Sequence, residues 1–201
     1  IHVSVSSGEI GLRAKALIHQ KLLNDKLRDT VRDGLHAAVT DPLTGLFNRR
    51  YVEPHLARIA TQALAAQREF AVMILDIDHF KQFNDTYGHL FGDTVIKGLS
   101  KRLQSACRDG INAYRFGGEE FALIVPNKSI RIARQYAETL RRAIEKLSIK
   151  DRRSGKQVGN ITASFGVAEL EHGQSPESII EQADKLLYEA KQLGRNRVMP
   201  L

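Results

Sequence analysis

Phe70-Ala71-Val72-Met73-Ile74-Leu75-Asp76-Ile77-Asp78 decides the fold of this chain. Six apolar residues, Phe70 to Leu75, run straight into acid. A short apolar run bounded by charge reads as a buried strand over Phe70 to Asp76, and it is far below the roughly 20 residues that cross a bilayer. If the backbone stays extended, Asp76 and Asp78 project from one face at the strand's C-terminal end, where open α/β sheets bind ligands. An acidic pair at the rim of a core is expensive unless a cation neutralises it. The plainer alternative for such a pair is a helix cap or a solvated loop.

Working outward, the spacing predicts a helical turn from Phe80 to Thr86 and a helix from Asp93 to Ala106. Ile111 to Phe116 and Phe121 to Val125 read as strands flanking Gly117-Gly118-Glu119-Glu120, a hairpin whose glycines are expected to supply positive φ angles. A helix follows from Ile130 to Leu147, then a strand from Asn160 to Val167 and a helix from Pro176 to Leu193. Upstream, Asn48 can cap a helix running to Gln67, and Asp41-Pro42 breaks a preceding one. That earlier helix, Ile10 to Val39, is amphipathic, with Leu23, Leu27, Val31, Leu35 and Val39 four apart among charges. It would pack on its own domain or pair with a second copy. The alternation of Ile1, Val3 and Val5 resembles the frayed end of an upstream module, and a first residue other than Met marks the chain as an excerpt. Residues 1–40 are therefore read as the end of an upstream module plus a linker helix, and 41–201 as the catalytic-sized domain. Strands interleaved with helices imply an α/β sandwich, one sheet with helices on both faces.

With 201 residues, 42% hydrophobic and 26% charged, the chain can bury a core and is not a disordered or low-complexity sequence. A lone cysteine, Cys107, makes no intrachain disulfide and suits a cytoplasmic location. The net charge of +7 favours anionic partners. Arginine-rich blocks and zinc-finger spacing are absent and aromatics are only 6%, so nucleic acid is not the expected partner, and no membrane segment appears.

Two carboxylates, Glu119 and Glu120, stand beside side-chain-free backbone at the hairpin, and Asp76 stands at a strand end. Acidic side chains from two elements converging with glycines match what Mg²⁺ takes: hard oxygen ligands and a substrate phosphate. Lys81, and Lys191 with Arg195 four apart on the last helix, could meet a triphosphate, although ordinary solvated helix charges read the same way.

Residues 41–198 resemble the GGDEF-domain family of diguanylate cyclases, in a Gly-Gly-Glu-Glu-Phe variant at Gly117 to Phe121. The resemblance is carried by separated blocks in order. These are Asp41-Pro42-Leu43-Thr44-Gly45-Leu46-Phe47-Asn48-Arg49-Arg50, Asp76 to Lys81 with Asn84-Asp85 and Gly88-His89, Gly92-Asp93, Arg115 to Phe121, Ser164-Phe165-Gly166-Val167, and Ala183-Asp184 through Asn196. It implies a palm-like nucleotidyl cyclase fold with a central, mostly antiparallel sheet. The implied reaction condenses two GTP into cyclic di-GMP and two pyrophosphates at the interface of two facing domains, hence a homodimer. By position, Asp76, the Ile77 carbonyl and Glu119 would hold Mg²⁺, with Mn²⁺ as an alternative. Glu119 or Glu120 would accept the proton of the attacking 3′-hydroxyl. Asn84 and Asp93 would read guanine, with His89 near the nucleoside. Lys81, Lys191 and Arg195, with backbone around His79, Phe80 and Gly118, would bind phosphates.

The sequence departs from the family at one place. Many members carry Arg-x-x-Asp six residues before the first glycine, a product-inhibition site. Here Arg108-Asp109-Gly110-Ile111 keeps the arginine and lacks the aspartate, so Arg108 is a remnant and inhibition should be weak. If this stretch is extended, Asp109 lies too far from position 111 to substitute. The helix of residues 10–39 resembles the linker of response-regulator cyclases, which implies an upstream sensor or receiver domain.

Overall fold

The computed structural model of this chain describes residues 7–147, 149–150, 157–158, 160–171 and 173–200; Ile1, Val3 and Val5 lie outside them. The chain divides into two compact units, the second beginning at Thr40. Among the described residues the first holds a single helix, α1 (Ser7–Val39). Leu17, Ile18, Leu22, Leu23, Leu27, Val31 and Leu35 on it are all more than half exposed.

The second unit runs β1 (Phe47–Asn48), α2 (Arg49–Ala65), β2 (Phe70–Ile77), α3 (Phe80–Tyr87), α4 (His89–Ala106), β3 (Asn112–Arg115), β4 (Glu120–Pro126), α5 (Ile130–Glu145), β5 (Ile149–Lys150), β6 (Gln157–Val158), β7 (Ala163–Glu169), α6 (Pro176–Gln192) and β8 (Val198–Met199). Six strands make one sheet in the order β1-β3-β4-β2-β7-β8. Its four inner strands pair antiparallel, while the two-residue edge strands are parallel to their neighbours.

The apolar run occupies a central strand, and all eight residues of β2 are buried. Alternation splits them between two cores. Ala71, Met73, Leu75 and Ile77 pack with α4 and α5, through Val95, Ile96, Leu99 and Leu103 and through Ala133, Ala137, Leu140 and Ile144. Phe70, Val72 and Ile74 pack with α2 and α6, through Val52, Leu56 and Ala60 and through Ile179, Ala183 and Leu187. Each helix places its apolar residues three or four apart, so each buries one stripe and leaves the rest to solvent. The resulting three-layer sandwich is the expected α/β arrangement with a mostly antiparallel sheet.

The helix starts follow local chemistry. Asn48 accepts from the Tyr51 amide at the start of α2, Ser129 caps α5, and Ser175 with Pro176 opens α6. Differences from the sequence reading sit at the edges. α4 begins at His89, four residues before the expected Asp93, because Gly88 at φ 84° turns the chain between two nearly continuous helices. β1, β5, β6 and β8 are two residues each, too short for periodicity to register.

Candidate active site

The β3–β4 hairpin delivers its acids beside the end of β2. Asp76 is the register partner of Glu120 on one side and of Ser164 on the other, and the Glu119 carbonyl accepts from the Ile77 amide at 3.3 Å. Even-numbered residues of β2 face α6, so Asp76, only 7% exposed, meets Lys191, whose Nζ lies 3.0 Å from Asp76 Oδ1. Burial pushes the Asp76 carboxyl above its ordinary range; Lys191 opposes this, and the Glu120 and Asp78 charges add to it. Burial likewise raises Glu119, with the Asp76 charge second and Glu120 also contributing against Lys191.

Two carboxyls held up by desolvation and by neighbouring acids are a site short of positive charge. Among the described residues no three His, Cys, Asp or Glu side chains converge to hold a metal. The donor set on offer is two carboxylates and a strand-end carbonyl, all hard oxygens. It suits a divalent cation such as Mg²⁺ that keeps waters and shares a phosphate.

Asp78 does share the face of Asp76 but is already satisfied. It accepts from Thr162 Oγ1 at 2.7 Å, Ser164 Oγ at 2.7 Å and the Asn196 amide at 3.1 Å. Hydrogen bonds from three donors occupy the oxygens of this carboxylate.

The expected reason for the glycine pair is overturned. Neither Gly117 nor Gly118 has a positive φ. A Cβ on Gly117 would lie 2.5 Å from Glu120 Oε2, whereas one on Gly118 would meet open space. The first glycine makes room for a catalytic-candidate carboxylate; the second leaves its amide uncovered.

Arg115 had no role in the sequence reading. Its Nη1 donates to both oxygens of Asp41 at 3.1 Å, and its Nη2 donates to the Gly118 carbonyl at 2.9 Å. Asp41 also accepts from the Thr44 amide and hydroxyl, so one guanidinium fixes both the Asp41-Pro42 turn and the glycine turn. The partners are 74 positions apart, which no spacing argument could join. Buried His55 bonded to the Tyr114 hydroxyl was missed for the same reason.

The helix pair α3–α4 gathers the residues expected to read a base. Gly92 is buried against Asn84: a Cβ there would lie 1.9 Å from Asn84 Oδ1 and 3.1 Å from Phe80 Cζ. Asn84 Oδ1 is itself buried and has no hydrogen-bond partner among the described residues, an acceptor awaiting a donor. Half-buried Asp93 follows Gly92, while His89 is exposed at the start of α4 and Lys81 is exposed on the first turn of α3.

Arg195 is not on the last helix. α6 ends at Gln192, and Gly194, Arg195 and Asn196 follow at φ 107°, 62° and 47°, a left-handed run returning toward β2. The Arg195 amide donates to the Ala190 carbonyl and the Asn196 amide to Asp78, which set the loop. The Arg108 stretch is not extended either: Asp109 and Gly110 have φ 55° and 81°, and the Ile111 amide bonds the Arg108 carbonyl at 3.0 Å, a tight turn. Arg108 is exposed; Ile111 is 7% exposed and belongs to the core. The structure thus brings together Asp76, Glu119, Glu120 and Lys191, places Asn84 beside Phe80 and Gly92, and leaves Arg108 on a turn of its own.

Comparison with known proteins bears directly on this arrangement. The family described as diguanylate cyclase, GGDEF domain, matches residues 38–197. Diguanylate cyclase VdcA of Vibrio cholerae is 58% identical over 179 residues, covering 89% of this chain and 50% of that protein. Response regulator PleD of Caulobacter vibrioides is 37% identical, covering 95% of this chain and 42% of that protein. The chain therefore spans about half the length, or less, of these relatives. Among solved structures, the coiled coil and GGDEF domain of DgcB from Caulobacter crescentus, in complex with c-di-GMP, superposes with a TM-score of 0.87. It is 35% identical and covers 93% of this chain and 97% of that one. The active GGEEF domain of a diguanylate cyclase from Vibrio cholerae gives a TM-score of 0.69 at 32% identity, covering 75% and 94%. From its buried acidic strand end to its glycine turn, this chain belongs to the GGDEF-domain family of diguanylate cyclases.

Proposed function

We propose that this chain condenses two GTP into cyclic di-GMP and two pyrophosphates, each protomer of a homodimer holding one GTP. The observation that carries the reading is the convergence of Asp76 and Glu119, both raised above the ordinary carboxylate range by burial, with Lys191 bound to the first. Such a set needs a cation and a polyphosphate to complete it.

Asp76, the Ile77 carbonyl oxygen and Glu119 would hold Mg²⁺, which when bound polarises the α-phosphate and lowers the pKa of the attacking hydroxyl. Glu119 or Glu120 takes the 3′-hydroxyl proton as that oxygen bonds to the α-phosphorus of the facing nucleotide. The bond from that phosphorus to the β-phosphate oxygen breaks, and pyrophosphate leaves with the electron pair. Lys81, Lys191 and Arg195 meet the charge on the leaving group. Lys191, preloaded on Asp76, changes partner as the phosphates arrive. The unbonded Asn84 Oδ1 accepts from the guanine N–H edge, with Asp93 beside it and His89 near the nucleoside. Phe80 and Gly118 contribute backbone amides to phosphate.

Since a half-site cannot react alone, α1, with its exposed leucines, is read as the helix that brings two copies together under an upstream sensor or receiver domain. Among the described residues no helix is long and apolar enough to cross a membrane. The cytoplasm, where GTP is held, is the proposed location. Incubating the dimerised chain with GTP and MgCl₂ and resolving the products by chromatography tests the reading. Cyclic di-GMP with two equivalents of pyrophosphate is expected, and GTP recovered unchanged overturns it.

A further inference from the structure

The solvent face of α5 takes no part in the reaction proposed above. Together with residues 196–198 it forms an open groove of about 700 Å³, lined by the guanidinium groups of Arg131, Arg134, Arg141, Arg142 and Arg197 against the single carboxylate of Glu138. Arg141 is 13% exposed and pinned by Glu138, Glu145 and Asn196, so one positive group is fixed in place. Hydrogen bonds from Arg141, opposed by burial and assisted by Arg142, pull the Glu138 carboxyl down to about 2. Glu138 is therefore ionised and fully committed to those two arginines.

The remaining arginines are not committed. Among the described residues Arg131 and Arg134 have no ion pair, and Arg134 Nε is buried with no hydrogen-bond partner. Arg197 donates Nε only to the Arg195 carbonyl, at 3.1 Å. A buried guanidinium N–H left unbonded is costly, and the three guanidinium charges of Arg131, Arg134 and Arg197, which have no ion pair among the described residues, repel around one concavity. Both costs are relieved by a multivalent anion.

We propose that this groove is a binding site for an oligophosphate anion. Planar guanidinium forks match phosphate oxygens in pairs. Among the described residues no aromatic side chain lines the groove, so a base has nothing to stack on, and Val198 is the lone apolar residue, too little to anchor a peptide. The site is separate from the catalytic cleft: α5 covers the face of the sheet opposite the one that carries Asp76 and Lys191.

The experiment is a titration of the chain with sodium tripolyphosphate, and in parallel with GTP, without divalent metal and at constant ionic strength. Calorimetry is read beside backbone amide shifts. Shifts at residues 131–142 and 196–198 are expected, with affinity for tripolyphosphate lowered about tenfold or more by Arg134→Gln and, independently, by Arg197→Gln on a different element. GTP shifting the same amides identifies a nucleotide's phosphate tail as a source; tripolyphosphate alone doing so identifies the free inorganic chain. The proposal is overturned by shifts confined to residues 117–120 and Lys191, by no shifts, or by both variants binding tripolyphosphate as tightly as the wild type. It is equally overturned by a single-stranded oligonucleotide displacing tripolyphosphate from α5 at lower concentration, which would make this a nucleic-acid face.

Discussion

Arg115 grips both carboxylate oxygens of Asp41 at 3.1 Å while its second nitrogen holds the Gly118 carbonyl at 2.9 Å. The turn at which the catalytic unit begins and the turn that carries Glu119 are therefore bolted to one guanidinium. Arg115→Ala frees both. Removing charge-assisted bonds of this kind costs about 1.5–3 kcal/mol. The variant is expected to stay folded while kcat falls roughly tenfold, and Arg115→Lys, able to reach one partner, should recover only part. Burial tends to raise the Asp41 carboxyl, but its bonds with Thr44 and Arg115 prevail and hold it below its ordinary value. A depressed carboxyl contributes stability above its unfolded pKa and loses it as pH falls through the folded one. Acid unfolding of Arg115→Ala, followed by circular dichroism, should therefore begin at higher pH than in the wild type. An unchanged acid midpoint would refute the clamp.

Asp76→Asn and Glu119→Gln should each abolish cyclic di-GMP formation, by about a thousandfold or more. Glu119 has a raised pKa, so its charged form is disfavoured in the fold, and neutralising it should leave Tm unchanged or slightly higher at pH 7. Loss of turnover together with a large drop in Tm would point to a structural acid instead.

Gly92→Ala forces Asn84 to move, because the new Cβ would sit 1.9 Å from its Oδ1, the far end of a side chain that can swing away. The fold should survive while KM for GTP rises roughly tenfold and discrimination against ATP weakens. Steady-state kinetics with both nucleotides decides it; an unaltered GTP/ATP ratio would remove Asn84 from base recognition.

Gly166→Ala meets backbone instead. Its Cβ would lie 2.0 Å from the Ala183 carbonyl oxygen and 2.4 Å from the Leu187 amide, and neither can swing aside. A loss of about 3 kcal/mol, roughly 6–12 °C in Tm, is expected from calorimetry.

Product inhibition should be weak, and Ile111→Asp should not restore it. The position is in the core, so an aspartate there is buried without a partner and the variant should be markedly less stable. The concentration of cyclic di-GMP that halves the initial rate, measured in wild type, checks the first half; a tight value would mean that another surface binds the product.

What the sequence disclosed and what it withheld divide along physical lines. The four packed helices were legible because burial of one face imprints a period, β2 because burial of both faces leaves an unbroken apolar run, and the starts of α2 and α6 because Asn48 and Pro176 act within three residues. The four two-residue strands carry no period. The acids of the candidate site could be named from residue type and family resemblance, yet Asp78 looked the same as Asp76 until Thr162, Ser164 and Asn196 were placed around it. The geometry of Arg195 was hidden because three consecutive positive φ angles leave little trace in composition.

The close approach at Gly166 has a mechanical consequence. At Gly166 α6 rests on β7 backbone to backbone, with no side chain at that point to act as a cushion. The helix that carries Lys191 thus has little room to slide or roll over the sheet there, and the root of that side chain keeps a fixed address relative to Asp76 while its ammonium group can still change partner. A domain built this way resembles half of a die rather than a spring. On the proposed reaction of two facing copies, a signal reaching such a domain would be best spent on how often, and how squarely, two such halves are pressed together.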